Sequence, residues 1–189
     1  MRSRFLDEIE IKALRAELTP AEWLPLGVAL QTGLRVGDVV KIRTRDLAED
    51  GVRYTAQKTG KRGFARLDAE TVSQLRKQAR YGWCFPSPQA KGKHLTRQAV
   101  WYRIKRAAKR ACIGAEGVSP HALRKSFAVL LMESSGLDAV QKALQHDRRD
   151  VTEMYALSDW LSGENADAPL LRRDLIAIAT KIADLLRGH

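Results

Sequence analysis

Ile11, Leu14 and Leu18 recur at the steps of one helical face, behind Asp7 and Glu10 spaced as an N-cap and its reciprocal partner. This pattern predicts a first helix over about 8–18. Thr19-Pro20-Ala21-Glu22 repeats the start signal, with proline in the first helical position, and predicts a second helix that Pro25 makes imperfect and Gly33 ends. The segment LRVGDVVKI follows, with Arg35 at a turn or the start of a short helix. Over 52–67 the pattern changes to VRYTAQ, then KTGKRG, then FARL. β-Branched and aromatic residues flank a glycine-containing connection, which predicts a hairpin.

Helical spacing returns over 68–80 through Val72 and Leu75. A loop marked by Gly82, Pro86, Pro88 and Gly92 then leads to a basic helix from about Thr96 to Cys112. Ser119-Pro120 opens a further helix with Leu123, Phe127, Leu130 and Leu131 as its apolar stripe, ended by Gly136. LDAVQKALQ reads as a short helix, Asp150 and Glu153 as the cap of another that carries Tyr155. From Asp167 onward, Leu171, Leu175, Ile178, Ile182 and Leu185 form one face of a terminal amphipathic helix. That face either packs within its own chain or docks on a neighbouring protomer.

Composition adds a partner. An apolar fraction of 44% with 29% charged residues describes a folding chain rather than a disordered one. Lysine and arginine outnumber aspartate and glutamate by 33 to 22, for a net charge of +11 and a pI near 10.0, which favours a polyanion and above all nucleic acid. The basic helix holds Arg97, Arg103, Lys105, Arg106, Lys109 and Arg110 and no acid, which suits a phosphate-facing surface as well as a solvated one. Cys84 and Cys112 stand apart, with no metal-ligand spacing around them, and read as reduced thiols. The N-terminus lacks a signal-peptide core, and no window approaches the roughly 20 apolar residues of a membrane span. These features together suggest a cytoplasmic, nucleoid-associated protein.

Individually, a histidine at a helix start or a tyrosine on a helix means little; order and spacing carry the information. TGLRVGDVV, QKTGK, HALRKSF and LQHDRRDVTEMYA, spread over about residues 19–160, closely resemble the motif set of the tyrosine recombinases, or phage integrase family. Matched residue by residue, the pattern falls on Arg35, Lys58, His121, Arg124, His146 and Tyr155. His121 and Arg124 are one helical turn apart, and Tyr155 follows His146 by nine residues.

The resemblance implies an α+β fold, mostly helical with a small antiparallel sheet. It also implies a catalytic domain over 1–166, with the amphipathic tail over 167–189. It implies a site-specific recombinase that cuts and rejoins double-stranded DNA through a 3′-phosphotyrosine intermediate, without metal, cofactor or ATP, as a homo-oligomer, a tetramer, on DNA. In that scheme Tyr155 is the nucleophile. Arg35 and Arg124 are permanently charged forks suited to the nonbridging phosphate oxygens. His121 assists by hydrogen bonding and as a general acid or base, His146 donates to a nonbridging oxygen, and Lys58 protonates the leaving 5′ oxygen, with Lys61 its rival three residues on. Asp38 matches an acidic family position and is expected to orient cationic or histidine side chains; its bland reading is a helix cap. Lys41, Arg43, Lys61, Arg62, Arg97, Arg103, Arg106, Lys109 and Arg110 are the expected DNA contacts. Family members usually carry an additional N-terminal DNA-binding domain, and about thirty residues precede Arg35 here. The alternatives are a type IB topoisomerase, which relaxes supercoils without exchanging strands, and a non-catalytic DNA-binding module.

Overall fold

A computed structural model describes residues 4–131. The helix ended by Gly136, the segments carrying His146 and Tyr155, and the terminal helix from 167 lie outside the described residues.

The element order is α1 (Glu8–Ala16), α2 (Pro20–Thr32), α3 (Val36–Val39), a 3-10 turn (Thr44–Asp46), β1 (Gly51–Thr55), β2 (Arg62–Arg66), α4 (Ala69–Gln78), α5 (Arg97–Arg110) and α6, residues 120–131. Both early helices start as expected: Asp7 with Glu10 and Thr19 with Glu22 form reciprocal capping boxes, which satisfy amides that the first helical turn leaves without partners. Helix α2 runs through Pro25 without ending. Leu24, Leu26, Val28 and Ala29 are buried around it, so burial along α2 outweighs the one missing donor. Gly33 then stops it in the left-handed region at φ 65°, where a residue without a Cβ is unstrained.

Strands β1 and β2 pair antiparallel from Gly51 opposite Arg66 to Thr55 opposite Arg62. The hairpin is present, but its connection is 56–61, two residues earlier than the KTGKRG segment expected. The amide of Ala56 donates to the Lys61 carbonyl at 2.9 Å, while the Ala56 carbonyl accepts from Thr59 at 3.3 Å and Gly60 at 2.7 Å. The chain therefore turns immediately after Thr55, and Gly60, at φ 67°, supplies the left-handed residue that closes the loop.

One apolar core joins α1, α2, α3, α4 and α5 to the hairpin and the base of α6, with Leu14, Leu26, Val39, Leu75, Ile104 and Leu123 fully enclosed. The N-terminal arm is stapled to α6. The Leu6 amide donates to Ser126 Oγ at 2.8 Å, and that hydroxyl contacts the Leu6 carbonyl at 2.9 Å. Among the described residues no helix is long and apolar enough to cross a membrane.

The two cysteines form no disulfide and differ sharply in environment. Cys84 is fully buried, and its thiol is pushed up to about 12 by burial, with Asp46 adding to the effect and Arg76 opposing it. Cys112 is exposed. Alkylation of the folded protein followed by mass spectrometry is therefore expected to label Cys112 readily and Cys84 only after denaturation. Because folding raises the Cys84 thiol pKa, its contribution to stability is complete below the ordinary thiol value and is lost as pH rises towards about 12. Ready labelling of Cys84 in the folded chain contradicts this packing.

Candidate active site

The glycine that ends α2 also begins the site. Its buried carbonyl accepts a 2.6 Å hydrogen bond from Nη1 of Arg124, which α6 delivers from 91 residues further along the chain. Arg124 is only 6% exposed. Such a buried cation is anchored here by a carbonyl, which uses one of its five donors and holds the guanidinium plane. Two residues beyond Gly33, Arg35 occupies the N-cap position of α3 with extended backbone, and its carbonyl accepts from Asp38 at 2.8 Å and Val39 at 3.0 Å. Leu34 between them is buried, and its amide is bonded to Thr32 Oγ1 at 3.2 Å. The peptide bearing Arg35 is thus fixed from both sides, and the two arginines are brought to one locality. His121, one turn before Arg124, is exposed in the first turn of α6, directly after Pro120.

Lys58 is carried to the same region by the hairpin loop and is exposed at its tip. The loop is tied to α3 by two bonds from Gln57: its amide donates to Asp38 Oδ1 at 3.1 Å, and its side-chain nitrogen donates to the Gly37 carbonyl at 3.1 Å. Asp38, 8% exposed, thus accepts a loop amide through its side chain, a contact beyond the helix cap of its bland reading. Lys61 closes the other side of the loop, with its carbonyl paired to Ala56 and its side chain exposed.

Tyr54 escaped the reading of the sequence. Burial raises its phenol above the ordinary range, Arg124 opposes that rise and Asp38 adds to it, so the ring on β1 lies within electrostatic reach of both site residues. An aromatic residue in a predicted strand gives no signal of this; only the fold, which ties the hairpin loop to α3 and brings Arg124 within electrostatic reach of β1, reveals it.

The expected DNA contacts are spread more widely. On α5, Arg97, Arg106 and Lys109 are exposed. Arg103 pairs with Glu22 at 3.8 Å, and Arg110 pairs with Glu17 at 2.7 Å and also bonds the Glu17 carbonyl. Burial pushes the Glu22 carboxyl up, but hydrogen bonds from Thr19 and the charges of Arg103 and Arg106 outweigh it and hold the carboxyl below its ordinary value. A helix devoid of acids in its own sequence is thus partly neutralised by Glu17 at the C-cap of α1 and Glu22 in α2. Arg43 lies over the Trp83 ring at 3.7 Å, while Lys41 and Arg62 are exposed. Among the described residues no group of three or more histidine, cysteine, aspartate or glutamate side chains gathers as metal ligands would.

The class of protein follows from comparison with known chains. Residues 4–160 match the phage integrase family, and the chain belongs to that family. It is similar to the "Tyrosine recombinase XerD" of Ralstonia nicotianae, with 35% identity over 170 residues, which is 79% of this chain and 54% of that one. Its fold is similar to that of the XerH site-specific recombinase bound to palindromic difH substrate in a post-cleavage complex, with a TM-score of 0.70 and 19% identity over 90% of this chain and 54% of that chain. It is also similar to a lambda integrase tetramer bound to a Holliday junction, with a TM-score of 0.67 and 21% identity over 78% of this chain and 46% of that chain. The chain spans about half the length of the curated relatives it matches. The α+β fold, mostly helical with a small antiparallel sheet, agrees with that expected from the motifs.

Proposed function

We propose that this chain is the catalytic domain of a site-specific DNA recombinase that acts through a 3′-phosphotyrosine intermediate, with residues 1–166 forming the domain and 167–189 an appended amphipathic helix. The observation that carries the reading is the Arg124–Gly33 bond. It sets a buried guanidinium two residues from Arg35 in a chain whose family match includes every proposed catalytic residue.

A phosphodiester attacked by an oxygen gathers negative charge on its equatorial oxygens, and two fixed guanidinium forks neutralise it without rearranging. His121 sits in the first turn of α6, where the positive helix pole adds to the attraction for phosphate. In the proposed step the Tyr155 phenolic oxygen bonds to phosphorus and gives its proton to His121 as general base, the bond to the 5′ oxygen breaks, and Lys58 supplies the proton that the departing oxygen takes up. The products are a 3′-phosphotyrosyl ester and a 5′-hydroxyl. Because one phosphoester replaces another, a 5′-hydroxyl from a second strand reverses the step and completes exchange. His146 completes the set by donating to a nonbridging oxygen.

Double-stranded DNA is the proposed substrate, and a homo-tetramer on DNA the proposed working assembly, supported by the similarity to recombinases seen in complexes with DNA. Lys41, Arg43, Lys61, Arg62, Arg97, Arg103, Arg106, Lys109 and Arg110 are the proposed backbone contacts, of which Arg103 and Arg110 have to exchange an acidic partner for phosphate.

The test is a pool of duplexes with randomised centres, each nicked so that the short 5′-hydroxyl strand released by cleavage diffuses away. The expected result is a denaturation-resistant protein–DNA adduct, with sequence enrichment in the trapped duplexes. Strand exchange between two copies of the enriched duplex then identifies recombination. Relaxation of a supercoiled plasmid without exchange identifies a topoisomerase instead, and binding with no adduct identifies a non-catalytic module.

A further inference from the structure

We propose that Tyr81 and the cations around it form a binding site for an unpaired nucleotide of single-stranded DNA, a site that uses none of the proposed catalytic residues. Arg80 and Trp83 exchange two backbone hydrogen bonds of 3.0 Å, so Tyr81 and Gly82 are the central residues of a tight turn. Both have positive φ, 54° and 77°, as in the mirror-image turns that close hairpins. Gly82 suits its position. Tyr81 does not, because glycine, asparagine and aspartate tolerate the left-handed region, whereas a bulky aromatic residue is an outlier there. The outcome is a ring held outward at the apex of the turn, 57% exposed. Backbone strain of this kind persists only where the surroundings impose it, and it clusters at binding sites.

The turn is held from two sides. The Gly82 carbonyl accepts the Thr44 amide at 3.2 Å, and the Cys84 amide donates to the Ile42 carbonyl at 3.0 Å, which ties the turn to the segment after α3. On the other side, Nε1 of Trp83 donates to the Gly92 carbonyl at 3.0 Å. Arg43 covers the indole face at 3.7 Å, and His94 meets the indole with ring centroids 4.9 Å apart. Trp83 is thus a strut rather than a free ring. By fixing Gly92 it sets Lys91 beside Tyr81, with Nζ 6.0 Å from the ring centroid. Arg80, Lys91 and Lys93 are exposed, and the sequence has no aspartate or glutamate between Glu70 and Glu116.

An exposed ring flanked by cations discriminates among anionic partners. A duplex offers phosphates to the lysines, but its base faces are covered by their neighbours and cannot stack on Tyr81. An acidic peptide satisfies the cations and leaves the ring without a partner. An unpaired nucleotide supplies both parts, a base for the ring and a phosphate for the lysines at its margin. Cutting one strand of a duplex exposes nucleotides of this kind, but the site binds them without any cleavage.

Binding is measured on the full chain by fluorescence anisotropy with three labelled oligomers of equal length: oligothymidine, the same backbone without bases, and a duplex. Tyr81→Ala is expected to weaken oligothymidine binding about 10-fold, the scale of losing one base stacked on an aromatic ring, and to leave the other two unchanged. Tyr81→Phe keeps the ring and should match the wild type. Tyr81→Gly should leave the melting temperature unchanged or higher, since glycine is unstrained at φ 54°, yet bind oligothymidine as weakly as Tyr81→Ala. A tyrosine with a merely structural role does not separate stability from binding in this way. Lys91→Ala should weaken both single-stranded oligomers and reduce the slope of log affinity against log salt by about 0.7, the share of one phosphate contact on a single strand. Equal losses on oligothymidine and the abasic oligomer in Tyr81→Ala, or no loss on either, overturn the site. A base-dependent loss in Tyr102→Ala in place of Tyr81→Ala moves the stacking to the exposed ring on α5 and overturns it too. Polyglutamate that displaces oligothymidine as well as unlabelled oligothymidine does makes the patch a general anion surface. A clear preference for oligouridine of the same length makes RNA the ligand and overturns the assignment to DNA.

Discussion

Replacing Tyr155 by phenylalanine is expected to abolish the protein–DNA adduct completely while leaving folding and DNA binding intact. The substitution removes one oxygen, the atom proposed to bond to phosphorus, and a phenyl ring has no nucleophile to offer in its place. The informative control is Tyr54. Its phenol lies within electrostatic reach of Arg124 and Asp38, so proximity alone does not distinguish it from a nucleophile. Its chemistry does. Burial and Asp38 hold its proton more firmly than usual, and the opposing pull of Arg124 does not reverse this, so it is a poor source of phenolate. Tyr54→Phe is therefore expected to form the adduct, and peptide mapping of the trapped complex should place the nucleotide on Tyr155. An adduct that survives in Tyr155→Phe, or that maps to Tyr54, sinks the assignment of the nucleophile.

How much of this was legible in the sequence depended on the range of the interaction involved. Capping boxes at Asp7 and Thr19 were readable because each closes within three residues, and the glycine stop at Gly33 because it expresses a single backbone angle. The apolar stripe of α6 was equally plain: Leu123, Phe127, Leu130 and Leu131 are all buried. Composition announces the hairpin, yet it puts the connection two residues late. Register is decided by which residues pair across the strands, here Thr55 with Arg62, and neither residue announces its partner. The same limit applies to charge. Within α5 the cations stand unopposed, and only packing against α1 and α2 brings Glu17 and Glu22 to Arg110 and Arg103. Arg35, Lys58, His121 and Arg124 were named from motif order, which records which residues matter without recording what holds them. Asp38 shows the difference: its place in the motif was visible, while its partner on the hairpin, 19 residues away, was not.

The two arginines are expected to fail differently when removed. Each substitution to alanine should lower cleavage by at least about 10²-fold, the scale of losing one preorganised donor to developing negative charge. Their structural consequences diverge. Arg124 is buried and its guanidinium satisfies the buried carbonyl of Gly33. Arg124→Ala therefore leaves an acceptor without its partner and a void beside it, and should destabilise the fold by about 1–3 kcal/mol as well as slowing the reaction. Arg35 is half-buried rather than buried, so Arg35→Ala empties less enclosed space and is expected to lower the melting temperature less. Arg124→Lys separates charge from geometry: it keeps the positive charge but loses the planar fork that can bond Gly33 and a phosphate oxygen together, so cleavage should remain well below wild type. Thermal unfolding beside single-turnover cleavage resolves these effects. Wild-type cleavage by Arg35→Ala or Arg124→Ala would remove that residue from the site. Equal melting temperatures for Arg124→Ala and wild type would show that the bond to Gly33 contributes nothing to holding α6 against the end of α2.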